Sequence, residues 1–166
     1  MKKKIKIFIT GGTFDKEYNE ITGELDFKNS HMYELLELGR CKLDISVETL
    51  MKVDSIHMSE EQREYIIKKC IDEESNHIII IHGTDTMIQT AKLLKEIILD
   101  KTIILTGAMI PVKFGGSDGL FNLGSALSFV QVLPYGVSIA MNGKIFSPSN
   151  VHKNKKLGIF ESLELV

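Results

Sequence analysis

Two short stretches, "HIIII" at 77–81 and "KTIIL" at 101–105, constrain this chain more than anything else in it. Side chains on a strand alternate between faces. A strand that is apolar at nearly every position therefore has no face to offer to water. Such strands belong inside a parallel sheet that is covered on both sides. Parallel neighbours need long crossovers, normally helices, so the rest of the chain should alternate strand with helix.

The alternation is present. "KIKIFIT" reads as a first strand, "LDISVETLM" as a second with many β-branched residues, and "GVSIAMN" as the last. Helical patterns lie between them. "HMYELLELG" is a short helix stopped at a glycine. "SEEQREYIIKKCIDEE" opens with Ser59 and Gln62, and "TMIQTAKLLKEIIL" with Thr86 and Gln89, both in capping-box spacing. "SDGLFNLGSALSFVQVL" ends near Pro134. "YNEITGELDF", folded about Thr22-Gly23, reads as a small hairpin after the first strand. The fold class that follows is α/β: a three-layer, mostly parallel, doubly wound sheet of Rossmann-like or flavodoxin-like type, with that hairpin added. Residues 1–166 are expected to form a single domain, since 166 residues suit one core better than two.

Composition removes several classes of function. The chain is 43% hydrophobic and 25% charged, which is ordinary for a folded soluble protein. A net charge of −2 supplies no bulk attraction to nucleic acid or anionic lipid. The apolar run after the opening lysines is broken by Lys6 and is too short for a signal core. No segment is long enough to span a membrane. Cys41 and Cys70 are far apart and form neither a CxxC pair nor a zinc site, so a reducing cytoplasm is the expected location.

In open parallel sheets, ligands bind beyond the carboxyl ends of the strands. Those ends carry a repeated chemistry: Thr10-Gly11-Gly12-Thr13, then Asp54-Ser55, then His82-Gly83-Thr84-Asp85-Thr86, then Thr106-Gly107-Ala108. Hydroxyls, small residues and carboxylates dominate, and no lysine or arginine falls in these turns. Neither GxGxxG nor GxxxxGK[ST] occurs, which disfavours a nucleotide phosphate site. The set suits a small polar molecule with an ammonium and an acyl group. Thr13 or Thr84 would be the nucleophile, and either hydroxyl would need a base within hydrogen-bond reach.

"TGGT", "DS", "HGTDTM" and "TGAM.P......DG..N", each after its strand, resemble the bacterial-type L-asparaginase family, and "MNGKIFSPSNVHK" resembles the family's lysine-bearing segment. The resemblance implies hydrolysis of the L-asparagine side-chain amide to aspartate and ammonia, with no cofactor and no metal. It implies that Thr13 is the nucleophile of a β-aspartyl acyl-enzyme. Thr84, Asp85 and Lys153 form the proton-handling group, and Asp85 also meets the substrate ammonium. Ser55, beside Asp54, would hold the α-carboxylate. The Ala108 carbonyl would accept from the substrate amide. Backbone N–H groups near Thr13 and Thr84, flanked by Gly12 and Gly83, would form the oxyanion hole. Tyr18 is the candidate loop tyrosine, although it stands closer to the nucleophile than the family's does. Ile56 and Ile110 depart from the polar residue and the arginine usual at their positions. Family chains are about twice as long, so the resemblance is to short single-domain asparaginases, and a homodimer or larger assembly is implied.

Each feature also has a plainer reading. Gly11-Gly12 fits a turn needing positive φ. Thr86 fits a helix N-cap, and Asp85 a charge at a helix start. Asp54-Ser55 fits a simple lead into the next helix, and Tyr18 fits a ring packed on the hairpin. Lys153 lies among Lys155 and Lys156, as in a solvated face. His82 fits a satisfied structural histidine, and His31, His57 and His152 have no metal spacing. What outweighs these readings together is matching chemistry at four strand ends. The rivals are a glutaminase or other amidohydrolase, a non-catalytic amino-acid-binding or assembly module, and, disfavoured, a nucleotide-binding domain.

Overall fold

The computed structural model describes residues 4–27 and 30–163. In chain order the elements are β1 (Lys4–Gly11), β2 (Lys16–Asn19), β3 (Glu24–Phe27), α1 (Met32–Leu38) and β4 (Asp44–Val53). There follow α2 (Glu60–Asp72), β5 (His77–Ile81), α3 (Met87–Ile97), β6 (Thr102–Thr106) and α4 (Gly119–Val132). The last elements are β7 (Gly136–Met141), β8 (Lys144–Phe146), β9 (His152–Asn154) and β10 (Ile159–Glu161).

One six-stranded sheet has the order β4-β1-β5-β6-β7-β8. Its first five strands are parallel, and β8 pairs antiparallel with β7 at the edge. This is the flavodoxin-like order of a doubly wound sheet. The alternation of side chains makes the layers visible. Phe8, Ile78, Ile80, Ile103 and Leu105 pack with Ile66, Cys70, Ala91 and Leu94 from α2 and α3. Ile7, Ile9, Ile79, Ile81 and Ile104 pack on the other side with Met32, Leu35, Leu123 and Ala126 from α1 and α4. Each fully buried isoleucine is worth roughly 1.5–3 kcal/mol, which explains why β5 and β6 occupy the middle.

The hairpin forms as expected: β2 pairs with β3 in register Lys16↔Phe27 to Asn19↔Glu24, and Gly23 turns with φ 74°. Ser59 and Gln62 make both bonds of a capping box on α2. One local expectation needs correction. Thr86 precedes α3 but its side chain does not cap it; the hydroxyl donates to Ser55 O at 2.8 Å, and Gln89 reaches Glu60 instead. α1 stops at Gly39 as expected, and it is Arg40, just past that cap, that takes the left-handed conformation at φ 51°. The edge strand β8 and the hairpin β9–β10 are too short, at three residues each, to show an apolar period.

Candidate active site

The chain order of the sheet reverses between β1 and β5, because β1 is followed by β4 on one side and β5 on the other. A crevice opens at such a point, outside the carboxyl ends of the strands. The two flanking turns are the glycine–threonine turns.

The two threonines around Gly11-Gly12 have different tasks. Thr10 is wholly buried and donates its hydroxyl to Ile81 O at 2.9 Å, tying β1 to β5. Thr13 lies past the glycines, in a single turn of 3-10 helix, and is only partly buried. Between them Gly11 and Gly12 hold φ 103° and 80°. Gly12 needs to be glycine for space as well: a Cβ there would sit 2.4 Å from Gly83 Cα. Residues 13 and 84 each directly follow one member of that contact.

Gly83 in turn lies against Ser55, whose Oγ would be 2.4 Å from an added Cβ. Ser55 is fully buried; its Oγ accepts from Thr86 N at 3.4 Å. Asp54 caps the short turn after β4 by accepting from Ile56 N, and pairs with Lys16 at the base of the hairpin. Burial by itself would raise the Asp54 carboxyl, but the Lys16 ammonium and the Ile56 amide outweigh it and hold the carboxyl below its usual value. Gly107 passes 2.4 Å (measured from a notional Cβ) from His82 O, which brings the β6 turn and the buried Ala108 against the β5 turn. Four loops far apart in sequence are thereby in contact.

The lysine arrives from the far end of the chain. Lys153 Nζ donates to Thr84 Oγ1 and to Asp85 Oδ1, both at 2.8 Å. Its side chain is only 12% exposed, whereas that of Asp85 is 41% exposed. Lys153 therefore does not belong to a solvated lysine face. It lies on β9, opposite the buried Phe160 of β10. That hairpin is pinned by Asn142, at φ 56°, whose Oδ1 accepts from Phe160 N at 2.9 Å. Asn142 N donates to Asn122 Oδ1 at 3.0 Å, and Asn122 Nδ2 donates to Gly107 O at 2.9 Å. Asp118 accepts from Asn122 and from the amides of Met109 and Ile110.

His82 is structural, with both ring nitrogens engaged, by Gly83 O at 2.9 Å and Thr90 Oγ1 at 2.8 Å. Tyr18 is 54% exposed on the hairpin, where it pairs with Leu25 of β3. Ile56 is 63% exposed beside Ser55. A shallow depression of about 510 Å³ borders Asp85 and Thr86 on the side of α3, where Gln89 and Lys92 line it. Among the described residues, no group of three His, Cys, Asp or Glu side chains is placed to hold a metal ion, and no helix is long and apolar enough to cross a membrane.

Sequence reasoning passed over Arg63, Asn142 and the structural use of Asp118 and Asn122. Arg63 had left a signal. It falls in the buried set Arg63, Ile66, Ile67, Cys70 of α2, a charged residue on the apolar stripe of its helix.

The family described as "Asparaginase, N-terminal" matches residues 4–164. The L-asparaginase of Thermococcus kodakarensis is 28% identical over 96% of this chain and 51% of its own length. Its solved structure superposes with a TM-score of 0.86, covering 98% of this chain and 52% of that one, at 27% identity. L-asparaginase 1 of Escherichia coli K12 is 30% identical over 92% of this chain and 48% of its own. The glutaminase-asparaginase of Acinetobacter glutaminasificans is 30% identical over 67% of this chain and 34% of its own. The chain thus spans about half the length of the two L-asparaginases.

Proposed function

The chain belongs to the asparaginase family, and from that premise we propose that it is an amidohydrolase that converts L-asparagine to L-aspartate and ammonia through a threonine acyl-enzyme. The observation that carries this reading is the convergence of Lys153 on Thr84 and Asp85, across 69 and 68 residues of chain.

In this reading Thr13 Oγ1 attacks the carboxamide carbon, and the new C–O bond forms as the carbonyl oxygen takes up negative charge. Amides of the Thr13 and Thr84 turns, presented by Gly12 and Gly83, stabilise that charge, each donor contributing ~3 kcal/mol. The hydroxyl proton passes through the Thr84–Lys153 pair to the departing nitrogen, the C–N bond breaks, and ammonia leaves. Water then attacks the ester, the Thr13 C–O bond breaks, and aspartate is released. Asp85 meets the substrate ammonium, Ser55 with Asp54 orients its carboxylate end, the Ala108 carbonyl accepts from the amide, and Tyr18 closes over the site when the hairpin moves. No cofactor takes part. Residues 1–166 act as one domain in the cytoplasm, in a homodimer or larger assembly.

A second reading, a module that binds an amino acid without turnover, draws support from the apolar, exposed Ile56 next to Ser55. Ammonia release from asparagine, glutamine and simple amides separates the two, with Thr13→Ala alongside. Asparagine turnover abolished by Thr13→Ala is the expected result. No ammonia from any amide, with asparagine still bound by calorimetry, replaces the enzyme with the module. Faster release from glutamine moves the substrate assignment, since one methylene is worth only ~1–3 kcal/mol in a pocket.

A further inference from the structure

Arg63 is only 2% exposed, beneath the rim of the site, and its hydrogen bonds run to groups other than those assigned to substrate. Its Nη1 donates to Thr90 Oγ1 at 2.6 Å and approaches Met58 Sδ. Its Nη2 donates to Met58 O and to Thr86 Oγ1, each at 3.3 Å. Its Nε meets a carboxylate, Glu60, at 3.4 Å, but that side chain is largely exposed. A charge this deep would be replaced at little cost by a packed apolar side chain if stability alone were at issue.

The direction of the hydrogen bonds is what matters. A guanidinium only donates. Gly83 O, 2.9 Å from His82 Nδ1, only accepts, so the neutral ring carries its proton on Nδ1 and its Nε2 must accept from Thr90 Oγ1, 2.8 Å away. The Arg63 donor on the other side of that hydroxyl leaves its hydrogen turned toward the ring. Burial and the Arg63 charge both oppose a second ring proton and hold the His82 pKa down to about 4, so the ring stays neutral. With the other tautomer, Nδ1 would turn a lone pair onto the Gly83 carbonyl, and that peptide would have to rotate. The Gly83–Thr84 peptide is trans, like all the described peptides. Its N–H therefore points opposite to its C=O, away from His82. It is an amide of the Thr84 turn, among those assigned above to the oxyanion.

We propose that Arg63 is a positioning residue of this site: by donating into Thr90 it turns that hydroxyl's hydrogen to His82 Nε2 and so supports the Nδ1-protonated ring that holds the Gly83 carbonyl and aims the Thr84 amide. The proposal rests on the amidohydrolase reading, but its wiring is measurable without any activity.

The test uses the full chain labelled with ¹⁵N, in which the His82 ring nitrogens report protonation directly, together with asparagine kinetics. The parent at pH 7 should show a neutral ring protonated at Nδ1. Thr90→Val should populate the Nε2-protonated ring and lower kcat about tenfold or more, with KM moving less, because an oxyanion donor acts in the transition state. Thr90→Ser should restore both, and Arg63→Met should reproduce the valine variant. If Arg63→Met fails to fold, the Thr90 pair decides alone. A parent ring protonated at Nε2, a Thr90→Val variant with parental kcat, a Thr90→Ser variant that restores neither, or a folded Arg63→Met variant with the parental ring and kcat overturns the proposal. If the parent releases no ammonia from any amide, the functional reading fails while the ring spectrum still decides the wiring.

Discussion

The ammonium of Lys153 sits 2.8 Å from the hydroxyl of Thr84, carried there on a strand of three residues. Asp85 shares the ammonium but is 41% exposed, so that pair adds ~1 kcal/mol at most to stability. Lys153→Met keeps most of the buried stem and removes the charge. Its expected effect is a fall in asparagine turnover of roughly two to four powers of ten, with a melting temperature close to the parent's. Ammonia release and a melting curve on one preparation check it, and a parental rate would remove Lys153 from the chemistry.

Close backbone contact at the rim predicts a paired effect. Gly83→Ala places a methyl carbon 2.4 Å from Ser55 Oγ and 2.6 Å from Ser55 Cβ. Overpacking of this kind costs ~1–3 kcal/mol. Adding Ser55→Gly removes both obstructing atoms, so the double variant should regain much of the loss in denaturant titration. Simple additivity of the two changes would mean that the turns are not in contact in solution.

How far the sequence foretold this arrangement depended on the kind of signal. Isoleucines at 78–81 and 103–104 could only be central strands, and the turn chemistry at their ends followed from the architecture. The strand that carries Lys153 had no such signal. Three residues, one of them lysine, show no period, and β9 exists because β10 and Asn142 hold it. Thr86 was misread because its capping spacing was satisfied locally, while a buried carbonyl at Ser55 competed for the same hydroxyl. Residue spacing records local preference; it does not record which distant acceptor lacks a donor.

His82 gives the fold a pH dependence with a definite sign. Its folded pKa is lowered from 6.5 to about 4 by burial, then by Arg63. Between those values the unfolded chain binds a proton that the folded chain refuses. Stability is therefore fully present above pH 6.5 and declines as pH falls toward 4, by about 3 kcal/mol for this residue. His82→Asn retains a donor for Gly83 O without the titration. Urea midpoints from pH 8 to pH 4 should fall less steeply in that variant than in the parent. Parallel curves would show that His82 titrates normally in the folded state.

Asn142 does two things that a pair of substitutions separates. Its φ of 56° favours glycine or asparagine, and its side chain accepts from Phe160 N, the strand partner of Lys153. Asn142→Gly keeps the turn and loses the bond. The lysine hairpin should then loosen: kcat is expected to fall severalfold, with ~1 kcal/mol or less of stability lost. Asn142→Ala loses the bond and also strains the turn, so it should lose a further ~1 kcal/mol or more. If Lys153 were placed by its contacts with Thr84 and Asp85 alone, the glycine variant would keep the parental kcat. A kcat loss in both variants, with a stability gap between them, instead assigns the lysine's position to a chain of amides running from Gly107 through Asn122 and Asn142 to Phe160.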